Sequence, residues 1–222
     1  MLRAPVRPIA AVLVAATTLL TPSSFAFGTP LSDQAVREAY FLGQRHDETM
    51  ANFLNKYTKL LAPPKFGPYV TSITFLTPFA LLVQHSSRQS NYSAQQAALD
   101  HRDQPEFVRI VVQIQLTDSY GAYIVRPTGP RSGSPTGFVP RPYDFWKDFD
   151  VQISSDDQKL RPFSSSGQPN FSCSEDGGCL LTGATLWFDF SVEDFASGSA
   201  SIEVNPPEGD PVAIDFDLAH LR

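Results

Sequence analysis

Hydrophobic and polar positions alternate most cleanly in FVRIVVQIQL, Phe107 to Leu116. Val108, Ile110, Val112, Ile114 and Leu116 fall on one side of a period-two pattern. Arg109, Gln113 and Gln115 fall on the other, with Val111 between them. Successive side chains of an extended chain point to opposite faces, so the pattern predicts a half-buried strand. Its β-branched residues suit a pleated surface. The same alternation returns in Phe149–Val151–Ile153, in Ala184 to Val192, and in Ile202–Val204 followed by Ile214–Phe216–Leu218. The last two segments flank a turn of Pro206, Pro207, Glu208, Gly209 and Asp210, which predicts a closing hairpin. Asp215 and Asp217 face outward there and discourage edge-to-edge pairing.

Between Ser32 and Leu61 the period changes to that of a helix. Ser32 is placed to cap a helix starting at Asp33, whose charge suits the positive end of the helix dipole. Val36, Tyr40 and Gly43 follow helical spacing, which lapses before Asp47. Asp47 then caps a second segment carrying the stripe Met50, Phe53, Leu54, Tyr57 and Leu61. A helical pair ending before Pro63 and Pro64 is expected. The string EAYFLG (residues 38–43) resembles the first helix of a tetratricopeptide repeat. No second copy follows and a lone repeat cannot bury its own face, so the pair is read as docking its stripe on the sheet.

From Tyr69 the character is β. Thr71, Ile73 and Phe75 alternate with Ser72 and Thr74, and Pro78 precedes a second apolar run, Phe79 to Val83, read as a further extended segment. Ser93 is placed to cap a short helix through Ala98. Tyr120 to Val125 is the expected hairpin partner of the central strand. Residues 126–142, dense in proline and glycine, read as a long surface loop and the place most open to partner contact.

The expected fold is mainly β: an antiparallel immunoglobulin-like β-sandwich preceded by an N-terminal α-helical pair. The disulfide and tryptophan spacing of antibody domains are lacking, so that likeness is one of architecture. The expected boundaries are a signal peptide over residues 1–26, a helical appendage over 27–66 and the sandwich domain over 67–222. The leader rests on basic Arg3 and Arg7, the apolar run Ile9 to Leu20, and small residues at Ser24 and Ala26 before a cut at Phe27. The run is too short for a comfortable membrane span of about 20 residues, and none is expected after cleavage.

Composition narrows the partners. The 222 residues carry 17 Lys and Arg against 23 Asp and Glu, a net −6, and losing Arg3 and Arg7 makes this −8. An acidic chain without basic clusters argues against nucleic acid and anionic membrane surfaces. Cys173 and Cys179, in CSEDGGC, are the only cysteines. In an oxidising compartment they are expected to pair as a local structural disulfide.

Motifs for chemistry are sparse. His46, His85, His101 and His220 stand singly, without zinc-binding spacing. Ser174, Glu175 and Asp176, or Asp156 and Asp157, offer oxygen ligands but match no calcium loop. No G-x-S-x-G elbow or glycine-rich phosphate loop is present, so no metal, cofactor or catalytic residue is assigned. Asp189 and Glu193 are the acids a glycosidase reading would draw on. Trp187, and Tyr143, Phe145 and Trp146, are candidate aromatic platforms. Asn91 and Asn170 begin formal glycosylation sequons. The expected function is that of an exported, soluble, non-enzymatic binding or interaction module of the cell envelope or exterior, with an unknown protein or glycan partner. The alternative is a secreted carboxylate-dependent hydrolase such as a glycosidase.

Overall fold

The computed structural model describes residues 27–127, 129, 136–156, 158–195 and 198–222. The leader expected over residues 1–26 lies outside them. Helix α1 (Asp33–Gln44) begins where Ser32 Oγ accepts the Ala35 N–H at 3.2 Å. Helix α2 (Glu48–Asn55) begins where Asp47 Oδ1 accepts the Thr49 and Met50 N–H groups at 3.0 and 3.2 Å. Both caps satisfy donors that the first helical turn leaves free.

The apolar run Phe79 to Val83 is not extended. It lies in α3 (Pro78–Arg88), capped by Thr77 Oγ1 and opened by Pro78 at the first helical position. Phe79, Ala80, Val83 and Ser86 are buried, a helical spacing that a five-residue apolar run is too short to display. Helix α4 (Ala94–Asp103) is capped by Ser93 as expected but continues past Ala98. The helices pack largely on one another. Ala39 of α1 meets Phe79 and Val83 of α3 in a small core, with Met50, Phe53 and Leu54 half-buried around it. A Cβ at Gly43 would collide with the Val83 carbonyl, so this crossing brings backbone against backbone. Docking of the α2 stripe on the sheet is correspondingly partial. Tyr57 is fully buried in the main core, whereas no residue within α2 is.

The main sheet is antiparallel, with strand order β1 (Thr58–Leu60), β2 (Tyr69–Leu76), β3 (Phe107–Gln115), β9 (Cys179–Ser191) and β8 (Ser164–Cys173). Strand β3 is central, and Val108, Ile110, Val112 and Ile114 are buried along it. Tyr120 to Val125 is not its partner, because β2 and β9 occupy both of its edges. Instead β4 (Tyr123–Pro127) pairs with β5 (Thr136–Pro140) in a separate ribbon, inside the stretch read as a loop. Strand β8 was not expected at all. Its residues are mostly exposed and carry no alternation, as an edge strand can, and Pro169 is tolerated there.

The second sheet is also antiparallel. It has the order β11 (Val212–Asp217), β10 (Ser199–Asn205), β6 (Asp150–Ser155) and β7 (Gln158–Lys159). The β10–β11 hairpin is the expected one, and β11, with Asp215 and Asp217 exposed, is a sheet edge. Side chains of both sheets belong to one core. Phe75 of β2 lies 5.1 Å from Phe195 and 5.6 Å from Phe216 of β11, centroid to centroid. Phe27 is buried beside it, ring centroids 6.4 Å apart. No helix of the described residues is long and apolar enough to cross a membrane.

Candidate functional site

Cys173 and Cys179 form a disulfide, directly opposite each other where β8 turns into β9. Gly177, at φ +84°, provides the left-handed step in that turn, and the Ser174 N–H donates to the Gly178 carbonyl at 2.8 Å. The hairpin ladder already holds the two strands, and the closed loop is short. Replacing both cysteines by serine is expected to cost no more than about 2 kcal/mol and to leave strand content unchanged. Urea unfolding followed by circular dichroism measures both quantities, and loss of the fold would contradict the local role.

The two acids of the glycosidase reading go separate ways. Asp189, buried at 8% exposure, accepts two hydrogen bonds from Arg109, at 2.6 Å from Nε and 2.8 Å from Nη2. Glu193 sits exposed on the single turn that follows β9. The aromatic candidates also divide. Phe145 is a core residue, and Trp146 lies flat on β8, where a Cβ at Gly167 would come within 2.6 Å of its ring. Tyr143 remains exposed, edge-on to Phe171 at 5.2 Å, and Trp187 is half-buried between Val111 and Ser166. Asn170 is half-buried in β8 and donates to Thr185 Oγ1 at 3.2 Å, whereas Asn91 is exposed. Asp157 lies outside the described residues.

A polar concavity of about 490 Å³ separates α3, α4 and the start of β3. Leu81 and Leu82 give it an apolar side. His101 and Glu106 lie between it and a neighbouring concavity that Glu193 also lines. The acids here have partners. Asp100 accepts from Gln96 Nε2 at 2.6 Å and from the Tyr92 hydroxyl at 3.0 Å. Glu106 Oε1 accepts the Leu31 N–H at 2.6 Å and lies 3.0 Å from His101 Nε2, while its buried Oε2 has no partner. Such a carboxylate can orient an imidazole, as in base–orienter pairs. Among the described residues, however, no nucleophile hydrogen-bonds to His101, and no three His, Cys, Asp or Glu side chains are grouped to hold a metal.

Burial, reinforced by the Asp100 carboxylate, pushes the Tyr92 hydroxyl up to about 12. A raised tyrosine value favours the protonated folded form. The associated stability is therefore present below about pH 10, the unperturbed value, and lost as pH rises towards 12. Burial also raises Tyr57 and Tyr120, so spectrophotometric titration at the tyrosinate band should show several late-titrating groups, of which Asp100→Asn brings one to lower pH. An unchanged profile in that variant would remove Asp100 as a cause.

The β4–β5 ribbon presents a different surface. Tyr123, Val125 and Phe138 share one face, with Val125 directly opposite Phe138, at exposures of 56%, 61% and 79%. Ile124 and Val139, on the other face, are half-buried. Arg141 anchors the ribbon's base. Its N–H donates to Ala122 O at 2.7 Å, its Nε donates to Gly121 O at 2.8 Å, and its guanidinium stacks 3.5 Å from the Tyr120 ring centroid. Two-stranded ribbons are marginal by themselves, and this one offers solvent its aromatic side. A signal for it existed in the sequence: two short apolar runs, YIV and FV, flank a proline- and glycine-rich turn. No protein-family model matches the chain, and no curated protein is significantly similar to it.

Proposed function

We propose that the protein is an exported, non-enzymatic binding or interaction module of the cell envelope or exterior that docks through its β4–β5 ribbon. The observation that carries this reading is the exposed Tyr123, Val125 and Phe138 face, since contiguous apolar surface rimmed by polar residues marks interaction sites. Export is supported by the leader pattern before Phe27 and by a disulfide, which persists in oxidising compartments. An immunoglobulin-like β-sandwich is supported by strand order. With β2, β3, β6, β7, β8, β9, β10 and β11 taken as A, B, C, C′, D, E, F and G, the sheets run A-B-E-D and G-F-C-C′. Strand β1 and the helical layer add to that frame.

The test is a photo-crosslinking residue placed at Phe138 in the exported protein, with a second at exposed Leu60, 83% exposed, as control. Adducts specific to position 138 that disappear with Tyr123→Ser are expected. Identical adducts at both positions would defeat the reading.

The unpartnered Glu106 Oε2 is the one observation favouring the carboxylate-dependent hydrolase. Hydrolysis of a glycan panel that is abolished in Glu106→Gln would move the balance to it.

A further inference from the structure

We propose that the ribbon's occupant is a second copy of this chain, docking on the outer face of the four-stranded sheet. The proposal rests on the interaction reading above and names its partner. The two surfaces are complementary in charge and shape. From Gly121 to Pro142 the sequence holds arginines and no acid, in a chain whose net charge is −6. Exposed Arg126 follows Val125 in β4 and lies on the opposite face of the narrow ribbon, and Arg141 stands at its base.

The outer face of the second sheet has the opposite character. Asp150, Glu203, Asp215 and Asp217 point outward from β6, β10 and β11. Among the described residues none of these four carboxylates pairs with a lysine or arginine, although Asp217 lies 2.7 Å from His220 Nδ1 and Asp150 accepts from Gln152 Nε2 at 2.6 Å. Lys159, at the margin, is hydrogen-bonded to Gln152. Between the acids the side chains are small. Ser201 lies between Asp215 and Ser154, and Ala213 lies opposite Glu203, so rings can approach the sheet.

Because ribbon and sheet are different patches, the contact is heterologous and links copies head to tail. The ribbon's three side chains expose roughly 300 to 400 Å², taking about 200 Å² for a whole aromatic side chain. A stable interface needs about 800 Å² per partner, so the association is weak and concentration-dependent.

Sedimentation of the exported protein tests this. The expected result is a mass that rises with concentration up to about 1 mM, the scale of weak complexes, and falls with added salt. Phe138→Ser, which spoils the ribbon, and Asp215→Lys, which spoils the sheet, should each weaken self-association at least tenfold with unchanged melting curves. Mixing the two variants is decisive. Each keeps the surface the other lacks, so the mixture should form one-to-one dimers that neither forms alone. A monomer at every concentration, or a mixture that stays monomeric, overturns the second-copy assignment. Binding to phosphatidylglycerol vesicles in place of self-association does the same. Ribbon-specific crosslinks to another protein would then leave the interaction reading standing, and their absence would remove both.

Discussion

Phe75→Ala is expected to lower the unfolding free energy by about 4 kcal/mol, as large-to-small changes at fully buried aromatics do. The ring has no exposed surface and stands where separate parts of the chain meet. Phe195 approaches edge-on, Phe216 comes from the second sheet, and Phe27 comes from the N-terminal segment. A cavity bordered by three different elements closes poorly, because each is held by its own hydrogen bonds. Phe53→Ala is the instructive contrast. The helical stripe alone suggested a cost of about 3 to 5 kcal/mol, the core value. Phe53 is only half-buried between Tyr57 and Phe79, so about 2 kcal/mol is expected instead. Urea denaturation of both variants gives the comparison. Equal losses would mean that Phe75 is not the hub its contacts indicate.

Arg109→Ala should cost about 3 kcal/mol, at the lower end for a broken buried pair because the arginine itself is partly exposed. The loss comes from what remains. Asp189 is left nearly buried without the two donors that satisfied it. Arg109 also lies 5.1 Å from the centroid of the Phe107 ring, so its removal takes some packing with it. The double variant Arg109→Met, Asp189→Leu separates the causes, since an apolar pair of similar volume is often neutral. Recovery of most of the lost stability is expected. A double variant as unstable as Arg109→Ala would assign the loss to packing instead.

Elements that repeat locally were legible without the fold. Strand β3 carries its burial pattern in plain alternation, as does the β10–β11 hairpin, because each has one face in the core and one more open. Strand β9 alternates in sequence but is buried on both faces along Gly183 to Leu186. The caps at Ser32, Asp47 and Ser93 were equally readable, since a capping side chain acts within three residues of itself. So was the pairing of the only two cysteines.

Tertiary structure decided the rest, for reasons of distance and competition. Phe79 to Val83 is apolar at every position and therefore silent about period. Its placement against α1 makes it a helix, and Thr77–Pro78 was the one local sign. Residues 164–173 pair because β9 offers an open edge and Trp146 covers Gly167, neither of which their own composition records. Tyr123 to Pro127 lost β3 to the longer apolar strands β2 and β9, and so formed the exposed ribbon. Glu106 meets Leu31 across 75 positions of chain, so the cleft exists only once the helices have packed. Local pattern determines which face of an element is buried. Which partner buries it depends on ladder bonds and packing between distant segments, and those energies have no local trace.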